Sequence, residues 1–379
     1  MTKDREYQIC TRCVMDTTDP NITFDEQGVC NHCHEYEARK KKLIADPGQR
    51  QRTLEDIIAK VKKDGQGKEY DCIIGVSGGV DSTYVAYLAK EWGLRGLLVH
   101  LDNGWNSELA VKNIENIVEY TGFDLYTLVI DWEEFKDLQR AFFKADVIDL
   151  ELLSDHAIFA TVYRLARKYK VKHLLSGENF ATEAIMPSAW NWRKSDATNI
   201  KAIHKQFGSK KLKTFPFMST VIKIIYQYGG LAKSIPVLNY LDYNKEAVMK
   251  VIEEKMHWKY YGGKHYESIF TRFYQGYILP KKFNVDKRKP HFSTLINSGQ
   301  MNREDAINYL EDPTYPENLQ SEDVGLLCKK LSFTDEEFNS YLKREPIPHL
   351  AYNSDEGLIN FIRNIYRKTS FKKKSDGYA

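Results

Sequence analysis

Cys72-Ile73-Ile74-Gly75-Val76-Ser77-Gly78-Gly79-Val80-Asp81-Ser82 is the stretch that decides how this chain folds. The apolar run 72–76 reads as a short buried strand, and the pattern from Thr83 to Trp92 as a helix. A turn that enters a helix leaves backbone N–H groups without partners and sets the positive end of the helix dipole beside them. Two adjacent glycines let that backbone approach an anion, and the hydroxyls of Ser77 and Ser82 add donors. The geometry suits a phosphate or pyrophosphate. A Walker A loop would close on Gly-Lys-Ser/Thr, which is absent. In its place stands Asp81, an acid that repels phosphate unless a cation intervenes, and Mg²⁺ is the natural bridge. Ser77, Gly78, Gly79, Val80, Asp81 and Ser82 are therefore expected to form a site for a pyrophosphate–Mg²⁺ group.

Outward from this loop, apolar runs recur at Leu97–Leu101, Leu125–Ile130 and Val171–Leu175, separated by helical patterns at Glu108–Tyr120 and His156–Lys168. Continuous apolar strands alternating with helices predict an α/β fold whose parallel sheet is covered on both faces. Ligands of such sheets bind at the carboxyl ends of the strands. Asp102, just after the second run, is a candidate adenosine contact, although Asp102-Asn103-Gly104 is equally a turn signal. Before the sheet, Leu54, Ile57, Ile58 and Val61 mark one amphipathic helix in a polar connector. Beyond about residue 240 the pattern turns helical, with a helix at 303–310 and a capping box at Thr334 and Glu337. The expected organisation is a ribbon at 1–45, a connector at 46–70, the nucleotide domain with a substrate-binding extension at 71–300, and a helical region at 301–379.

Four of the six cysteines fall into two knuckles, Cys10-x2-Cys13 and Cys30-x2-Cys33, in a segment with little core of its own. Four thiolates at this spacing suit a closed tetrahedral Zn²⁺ site of structural type, with His32 and His34 as alternative ligands. The polar N-terminus has no secretory leader pattern, and the apolar stretch 215–228 is short and broken by Lys223. A cytoplasmic protein with no membrane span is expected. With 55 basic and 52 acidic residues the net charge is +3, which argues against a nucleic-acid partner.

The Ser-Gly-Gly-x-Asp-Ser element resembles that of the PP-loop, or N-type, ATP pyrophosphatases, which include GMP synthetase, NAD synthetase, asparagine synthetase and the tRNA thiolases. The resemblance implies use of ATP, adenylyl transfer to a substrate, and departure of pyrophosphate into the loop. It also implies a metal-sharing acid after a later strand. Ser176-Gly177-Glu178-Asn179-Phe180-Ala181-Thr182-Glu183 is similar to that segment, with Glu183 at the metal position and Glu178 as its competitor.

The two cysteines outside the knuckles, Cys72 and Cys328, read as core residues of a strand and a helix. Sulfur transfer and glutamine hydrolysis within the chain are both disfavoured, and Thr2 excludes an N-terminal cysteine nucleophile. Tyr261-Gly262-Gly263-Lys264-His265-Tyr266-Glu267-Ser268, the segment 283–293 and Ser298–Glu304 carry a second resemblance, to the N-acetyl sugar amidotransferases of surface-polysaccharide (lipopolysaccharide) biosynthesis. This implies conversion of a sugar acetamido group, free or nucleotide-linked, to an acetamidino group. Ammonia would come from a separate glutaminase and a cyclase-like subunit, similar to the halves of imidazole glycerol phosphate synthase. Two anionic leaving groups need cationic stabilisation, for which Lys264, Lys287 and Arg288 are candidates beside the Mg²⁺. His265, Arg272 and His291 are candidates for sugar or nucleotide contacts. Trp190 could stack on a ring and Arg193 could hold a diphosphate. The alternatives are a PP-loop tRNA-modifying enzyme and a non-catalytic nucleotide-binding scaffold.

Overall fold

The computed structural model describes residues 5–43, 46–262 and 266–362. Its centre is a sheet of β1 (Cys72–Gly75), β2 (Gly96–Asp102), β3 (Asp124–Val129), β4 (His173–Ser176) and β5 (Lys233–Pro236). The spatial order is β3-β2-β1-β4-β5, and each neighbouring pair is parallel. Four strands are the apolar runs of the sequence. The fifth, Lys233-Ser234-Ile235-Pro236, is half polar and ends on proline, which an edge strand tolerates because one side of it forms no ladder.

Alternation along β1 covers the two faces. Cys72 and Ile74 join Val85, Ala89, Ile114 and Ile252 in one cluster, while Ile73 joins Val99, Tyr163 and Leu174 in another. The first layer is built by α3 (Val80–Glu91), α4 (Glu108–Thr121) and α10 (Lys245–Met256). The second is built on α6 (Leu152–Lys168). The connector helix α2 (Pro47–Gly65), which follows α1 (Asn31–Leu43), tucks Val61 into the first layer. Between α4 and α10 in sequence lie, besides α6, the helices α5 (Trp132–Lys144), the short α7 (Phe180–Glu183), α8 (Ala197–Phe207) and α9 (Thr220–Tyr228).

The C-terminal half comprises α11 (Ile269–Phe273), α12 (Leu279–Phe283), α13 (Arg288–Ser298), α14 (Arg303–Glu311), α15 (Glu317–Leu331) and α16 (Asp335–Lys343). A π turn, Tyr274–Ile278, joins α11 to α12. The capping box before α16 forms as expected: the Glu337 carboxylate accepts from the Thr334 N–H at 2.9 Å, and the Thr334 hydroxyl accepts from the Glu337 N–H at 3.1 Å.

The cysteine segment shares one hydrophobic cluster with these helices, since Cys10, Cys33 and Tyr36 pack with Phe180, Phe273 and Leu327. Polar contacts add to this. Arg303 donates to the Cys13 carbonyl at 3.0 Å and the Cys10 carbonyl at 2.9 Å, and the Ser293 hydroxyl accepts from the Val14 N–H at 3.2 Å. No helix among the described residues is long and apolar enough to cross a membrane.

Candidate active site

From β1 the chain builds β2 and β3 on one side, then crosses back to place β4 and β5 on the other. The carboxyl ends of β1 and β4 thus flank a topological switch point, where open α/β sheets bind ligands. A cavity of about 200 Å³ opens there, bounded by Ser77, Gly79, Asp81 and Ser82 from β1–α3 and by Gly177, Glu178 and Glu183 from β4–α7.

The loop is shaped by close approach. Gly78 has φ +79°, and a β-carbon there would lie 2.6 Å from the Ala110 carbonyl oxygen, so only glycine fits. Its own carbonyl accepts from the Trp258 indole at 2.8 Å. Gly79 is the N-cap of α3 and offers no capping side chain, so the first-turn N–H groups are left to other partners. The Tyr261 hydroxyl meets the Val80 N–H. A β-carbon on Gly177 would lie 3.0–3.1 Å from Asp81 and Ser82 backbone and side-chain atoms, so the two loops touch there.

The acids converge. Tyr243 donates a hydrogen bond to Asp81 Oδ1. Burial first, then the Asp81 charge, pushes the Tyr243 hydroxyl pKa up, so it stays a donor to an ionised carboxylate. Glu178 is also pushed up, first by burial and then by the neighbouring Glu183 charge. Lys223 of α9 is held down by burial and opposed by the Glu178 charge. Two carboxylates from separate loops, beside helix-terminal N–H groups, are a donor set that fits Mg²⁺ carrying a pyrophosphate. Asp81 and Glu183 would hold the metal, and the Ser77–Ser82 loop the phosphate oxygens.

Two further cavities adjoin this one. The first, about 290 Å³, lies over the ends of β1 and β2 and shares Ser77 and Glu267 with the phosphate cavity. His100, Asn103, Asn106 and Glu151 line it. The His100 Nδ1–H faces the Val76 carbonyl at 3.2 Å and its Nε2 faces the Asn106 amide at 3.2 Å, while burial pushes its pKa down; it is a neutral ring. Asp102 is not in the lining: its carboxylate accepts from the Gly104 N–H at 3.0 Å and closes the turn, while Asn103 and Asn106 face the space. The second cavity, about 330 Å³, shares Lys245 with the phosphate cavity. Tyr260, Tyr266, Arg272, Lys287, His291 and Phe292 are among its walls, with Gln275 and Gly276 from the π turn.

Other sequence candidates divide accordingly. Arg272 lines the second cavity but is braced by the buried Asp323 at 2.9–3.0 Å. Lys287 pairs with Glu151 at 3.3 Å, across the wall between the two adjoining cavities. His291 faces the Thr182 carbonyl at 3.2 Å. Arg288 borders the same cavity, yet its guanidinium is consumed by Asp286 and the carbonyls of Tyr309, Leu310 and Asp312, so it ties α13 to the end of α14 rather than waiting for phosphate. Trp190 is 2 % exposed within the core and has no face to offer a sugar. Arg193 is held by Asp196, Asp355 and Glu356, three acids that leave no room for a diphosphate. Lys264 and His265 lie outside the described residues. Lys245 and Tyr243 escaped the sequence reading, while Gly177, Tyr261 and Glu267 lie in segments that it singled out without giving them a role. Lys245 follows the N-cap Asn244, a helix-start signal that says nothing about what lies across the fold.

The ribbon's four thiols form a buried cluster with all ligand atoms within 4.8 Å of one another. Sγ–Sγ separations of 4.0, 3.7 and 3.8 Å match the roughly 3.8 Å edge of a tetrahedron with Zn–S bonds of about 2.3 Å. His32 and His34 do not contribute: they pair with Asp19 at 2.7 Å and Asp25 at 2.8 Å. The cluster also braces the site. Tyr36 of α1 stacks on Phe180 of α7 at 4.5 Å, and Arg39 donates to the Ala184 carbonyl at 2.8 Å. On the far side of α7 the Thr294 hydroxyl accepts from the Ile185 N–H at 3.1 Å, while Asn297 of the same helix α13 reaches Cys33 Sγ at 3.5 Å. Glu183 is thus carried on a helix clamped between the cysteine segment and α13.

The chain shows likenesses to several known proteins. Residues 267–366 match the family described as LPS biosynthesis protein WbpG-like, C-terminal domain. An uncharacterized protein of Methanocaldococcus jannaschii is 23% identical over 325 residues, 83% of this chain and 96% of the relative. A tRNA(Ile)-lysidine synthase of Chlamydia pneumoniae is 39% identical over 72 residues, 18% of this chain and 23% of that protein. Among solved structures, NH3-dependent NAD synthetase from Campylobacter jejuni overlaps 56% of this chain and 94% of its own at 15% identity and TM-score 0.30. NMN synthetase from Francisella tularensis overlaps 55% and 87% at 14% identity and TM-score 0.25. At those scores the structural likeness adds nothing to what the sheet order and the Ser77–Ser82 loop establish. The chain thus joins a five-stranded parallel α/β sheet carrying the Ser77–Ser82 loop to a region, residues 267–366, that is similar to the C-terminal domain of the WbpG-like LPS biosynthesis proteins.

Proposed function

We propose that this chain is an ATP-dependent, AMP-forming amidotransferase that converts a sugar acetamido group into an acetamidino group. One observation carries the reading: the loop, Asp81 and Glu183 converge on a cavity that shares Lys245 with an aromatic and basic cavity walled largely by the region similar to the WbpG-like C-terminal domain. An amide carbon is a poor electrophile because its nitrogen donates into the carbonyl. Attack of the amide oxygen on the α-phosphorus of ATP, driven by the nitrogen lone pair, expels pyrophosphate and leaves an O-adenylyl imidate whose cationic C=N carbon is electrophilic and carries AMP as a leaving group. Ammonia then adds to the carbon, a proton is lost, and AMP leaves with the carbon–oxygen bonding pair to give the amidinium.

The protein's part is positioning and charge stabilisation. N–H groups at the start of α3 would receive the departing pyrophosphate, and Asp81 and Glu183 would hold Mg²⁺, which supplies neutralisation of the phosphate charge when bound. Lys245 borders both cavities and would hold phosphate oxygens between them. Arg272, stiffened by Asp323, and Lys287 would orient the sugar. Cys72 and Cys328 are buried and the other four thiols are clustered, which disfavours a thiol glutaminase within these residues; ammonia from a separate glutaminase with its cyclase-like subunit is what the family resemblance implies.

The test is mass spectrometry of free, UDP-linked and CMP-linked acetamido sugars after incubation with ATP, Mg²⁺ and ammonium. A loss of about one mass unit marks oxygen replaced by NH on a carbon that has gained a leaving group. Asp81→Ala should abolish pyrophosphate release without lowering the melting temperature by more than a few degrees. Undiminished turnover in that variant would refute the metal role. The likeness to a tRNA(Ile)-lysidine synthase favours one second reading, an RNA substrate. Steeply salt-dependent tRNA binding, with no sugar product, would establish it.

A further inference from the structure

The stretch 266–272 walls all three cavities of the candidate site. Tyr266 and Arg272 face the aromatic and basic cavity, while Ser268, Phe270 and Thr271 face the cavity over β1 and β2. Glu267 lines both that second cavity and the phosphate cavity. Backbone pairing holds the stretch in place. Asn106 and Ser268 form an antiparallel bridge. On either side of it the Ser107 N–H donates to the Glu267 carbonyl, and the Ile269 N–H to the Trp105 carbonyl, both at 2.9 Å. The Ser268 hydroxyl then caps α11 by accepting from the Thr271 N–H at 3.3 Å. The Glu267 side chain lies over the start of α3. Its Oε1 is 3.7 Å from where a β-carbon on Gly79 would sit, and the Tyr261 hydroxyl is 3.4 Å from the same point. Tyr261 hydrogen-bonds to the Glu267 carboxylate as well as to the Val80 N–H.

The Mg²⁺ of the proposed site needs Asp81 and Glu183, which leaves Glu267 as a further acid at a phosphate loop. We propose that Glu267 is the base that takes the proton ammonia must shed, an inference that rests on the amidotransferase reading. Its position selects it. With pyrophosphate in the phosphate cavity and the sugar in the cavity that shares Lys245 with it, the α-phosphorus and the acetamido carbon must meet between the two. The stretch 266–272 is the wall common to both, and Glu267 is its acid. The neighbouring groups are placed otherwise. Glu151 is held by Lys287 at 3.3 Å and Gln275 at 3.0–3.1 Å, Asp155 by Lys194 at 3.0 Å, and neither lines the phosphate cavity. His100 is occupied by the Val76 carbonyl and the Asn106 amide. Glu178 lines neither adjoining cavity. In the step, the ammonia lone pair forms a C–N bond while the C=N pair of the imidate returns to its nitrogen. One N–H of the new ammonium breaks, its proton passing to a Glu267 oxygen and its electron pair staying on nitrogen. The C–O bond then breaks, AMP leaves with that pair, and a nitrogen lone pair closes the C=N bond of the amidinium.

The test separates the two halves of the reaction. Glu267→Gln and Glu267→Asp are assayed with whichever free, UDP-linked or CMP-linked acetamido sugar the wild type converts. Sugar-dependent exchange of labelled pyrophosphate into ATP, without ammonium, reads adenylation. Mass spectrometry of the product at saturating ammonium reads amidination. Glu267→Gln should keep exchange within about twofold of wild type while amidination falls about 100-fold, the low end of what a positioned base contributes. Glu267→Asp, which withdraws the carboxylate by one methylene, should show the same split to a lesser degree, and it decides the matter should the Gln variant melt below the assay temperature. Hydroxylamine is a weaker base than ammonia, and its adduct sheds a proton more readily. It should restore much of the lost turnover, which it would not do for a structural defect. Equal loss of exchange and amidination would place Glu267 in ATP or metal binding and overturn the proposal, as would wild-type amidination in both variants. If the wild type yields no amidine from any of these sugars, the amidotransferase reading fails and takes this role with it; an active wild type beside unimpaired variants sinks the role alone.

Discussion

Replacing Gly177 with alanine tests whether the contact between the two loops sets the geometry of the acids. Gly177 is not among the residues of positive φ, so alanine meets no backbone strain there. Its β-carbon would lie 3.0 Å from the Asp81 carbonyl carbon, 3.1 Å from Asp81 Cβ and 3.1 Å from the Ser82 nitrogen. Non-bonded carbons prefer about 3.5–4.0 Å, so the β4–α7 loop must retreat from α3 by roughly half an ångström. Overpacking of this kind costs about 1–3 kcal/mol. The smaller entropy of the unfolded alanine chain offsets about 0.4–1 kcal/mol of it. A net loss of about 1–2 kcal/mol should lower the melting temperature by a few degrees. The effect on catalysis should be larger than on stability. A misplacement of about 1 Å costs on the order of 100-fold, so half of it, applied between Asp81 and Glu183, should lower kcat/KM for ATP about tenfold. Pyrophosphate release read by a coupled phosphate assay, with a thermal melt in parallel, measures both. Wild-type kcat/KM with an unchanged or raised melting temperature would show that the two loops are not in rigid contact and that the acids do not depend on their spacing.

Gly325 is the matching control: it sits within α15 with nothing within 4 Å of its would-be β-carbon, so Gly325→Ala should stabilise the chain by about 0.5–1 kcal/mol in urea unfolding and leave turnover alone. The protein should purify with one Zn²⁺ per chain by elemental analysis, and Cys30→Ser should lose it. Because the cysteine segment clamps α7, amide exchange at residues 180–185 should then rise, and unchanged exchange would show the clamp is unimportant. His349 is stacked on Trp192 at 4.9 Å, with its Nδ1–H on Asn199 at 2.7 Å, and burial pushes its pKa down to about 4. The unfolded ring takes up its proton near pH 6.5, so stability is fully present above that pH and is lost as pH falls towards 4. The loss is on the order of 3 kcal/mol, and a His349→Gln variant whose melting temperature falls equally steeply over that range would exclude this ring as the cause.

Much of the site is written locally. Strand, double glycine, Asp81 and helix occupy one stretch, because a phosphate-binding turn needs only consecutive backbone N–H groups and small residues. The cysteine knuckles are legible for the same reason: each Cys-x2-Cys pair is a local unit, and two pairs bring four thiols together. The assignments that fail are those resting on residue type without knowledge of partners. An arginine near a tryptophan resembles a ligand site until Asp355 and Glu356, more than 160 residues away in the chain, are seen to neutralise it.

What the sequence determined by itself is therefore the parallel α/β sheet, the glycine-rich turn into α3 and the four-thiol cluster, since periodicity and short-range spacing encode each of them. Only the tertiary structure decided that Asp102 closes a turn, that Trp190 is core, that Arg193 and Arg288 are structural cations, and that Lys245, Tyr243, Tyr261 and Glu267 reach the loop. It also decided that the cysteine segment packs against the short helix that carries Glu183. The physical reason is the same throughout: a charged or aromatic side chain acts on whatever lies within a few ångströms of it, and chain order does not specify those neighbours.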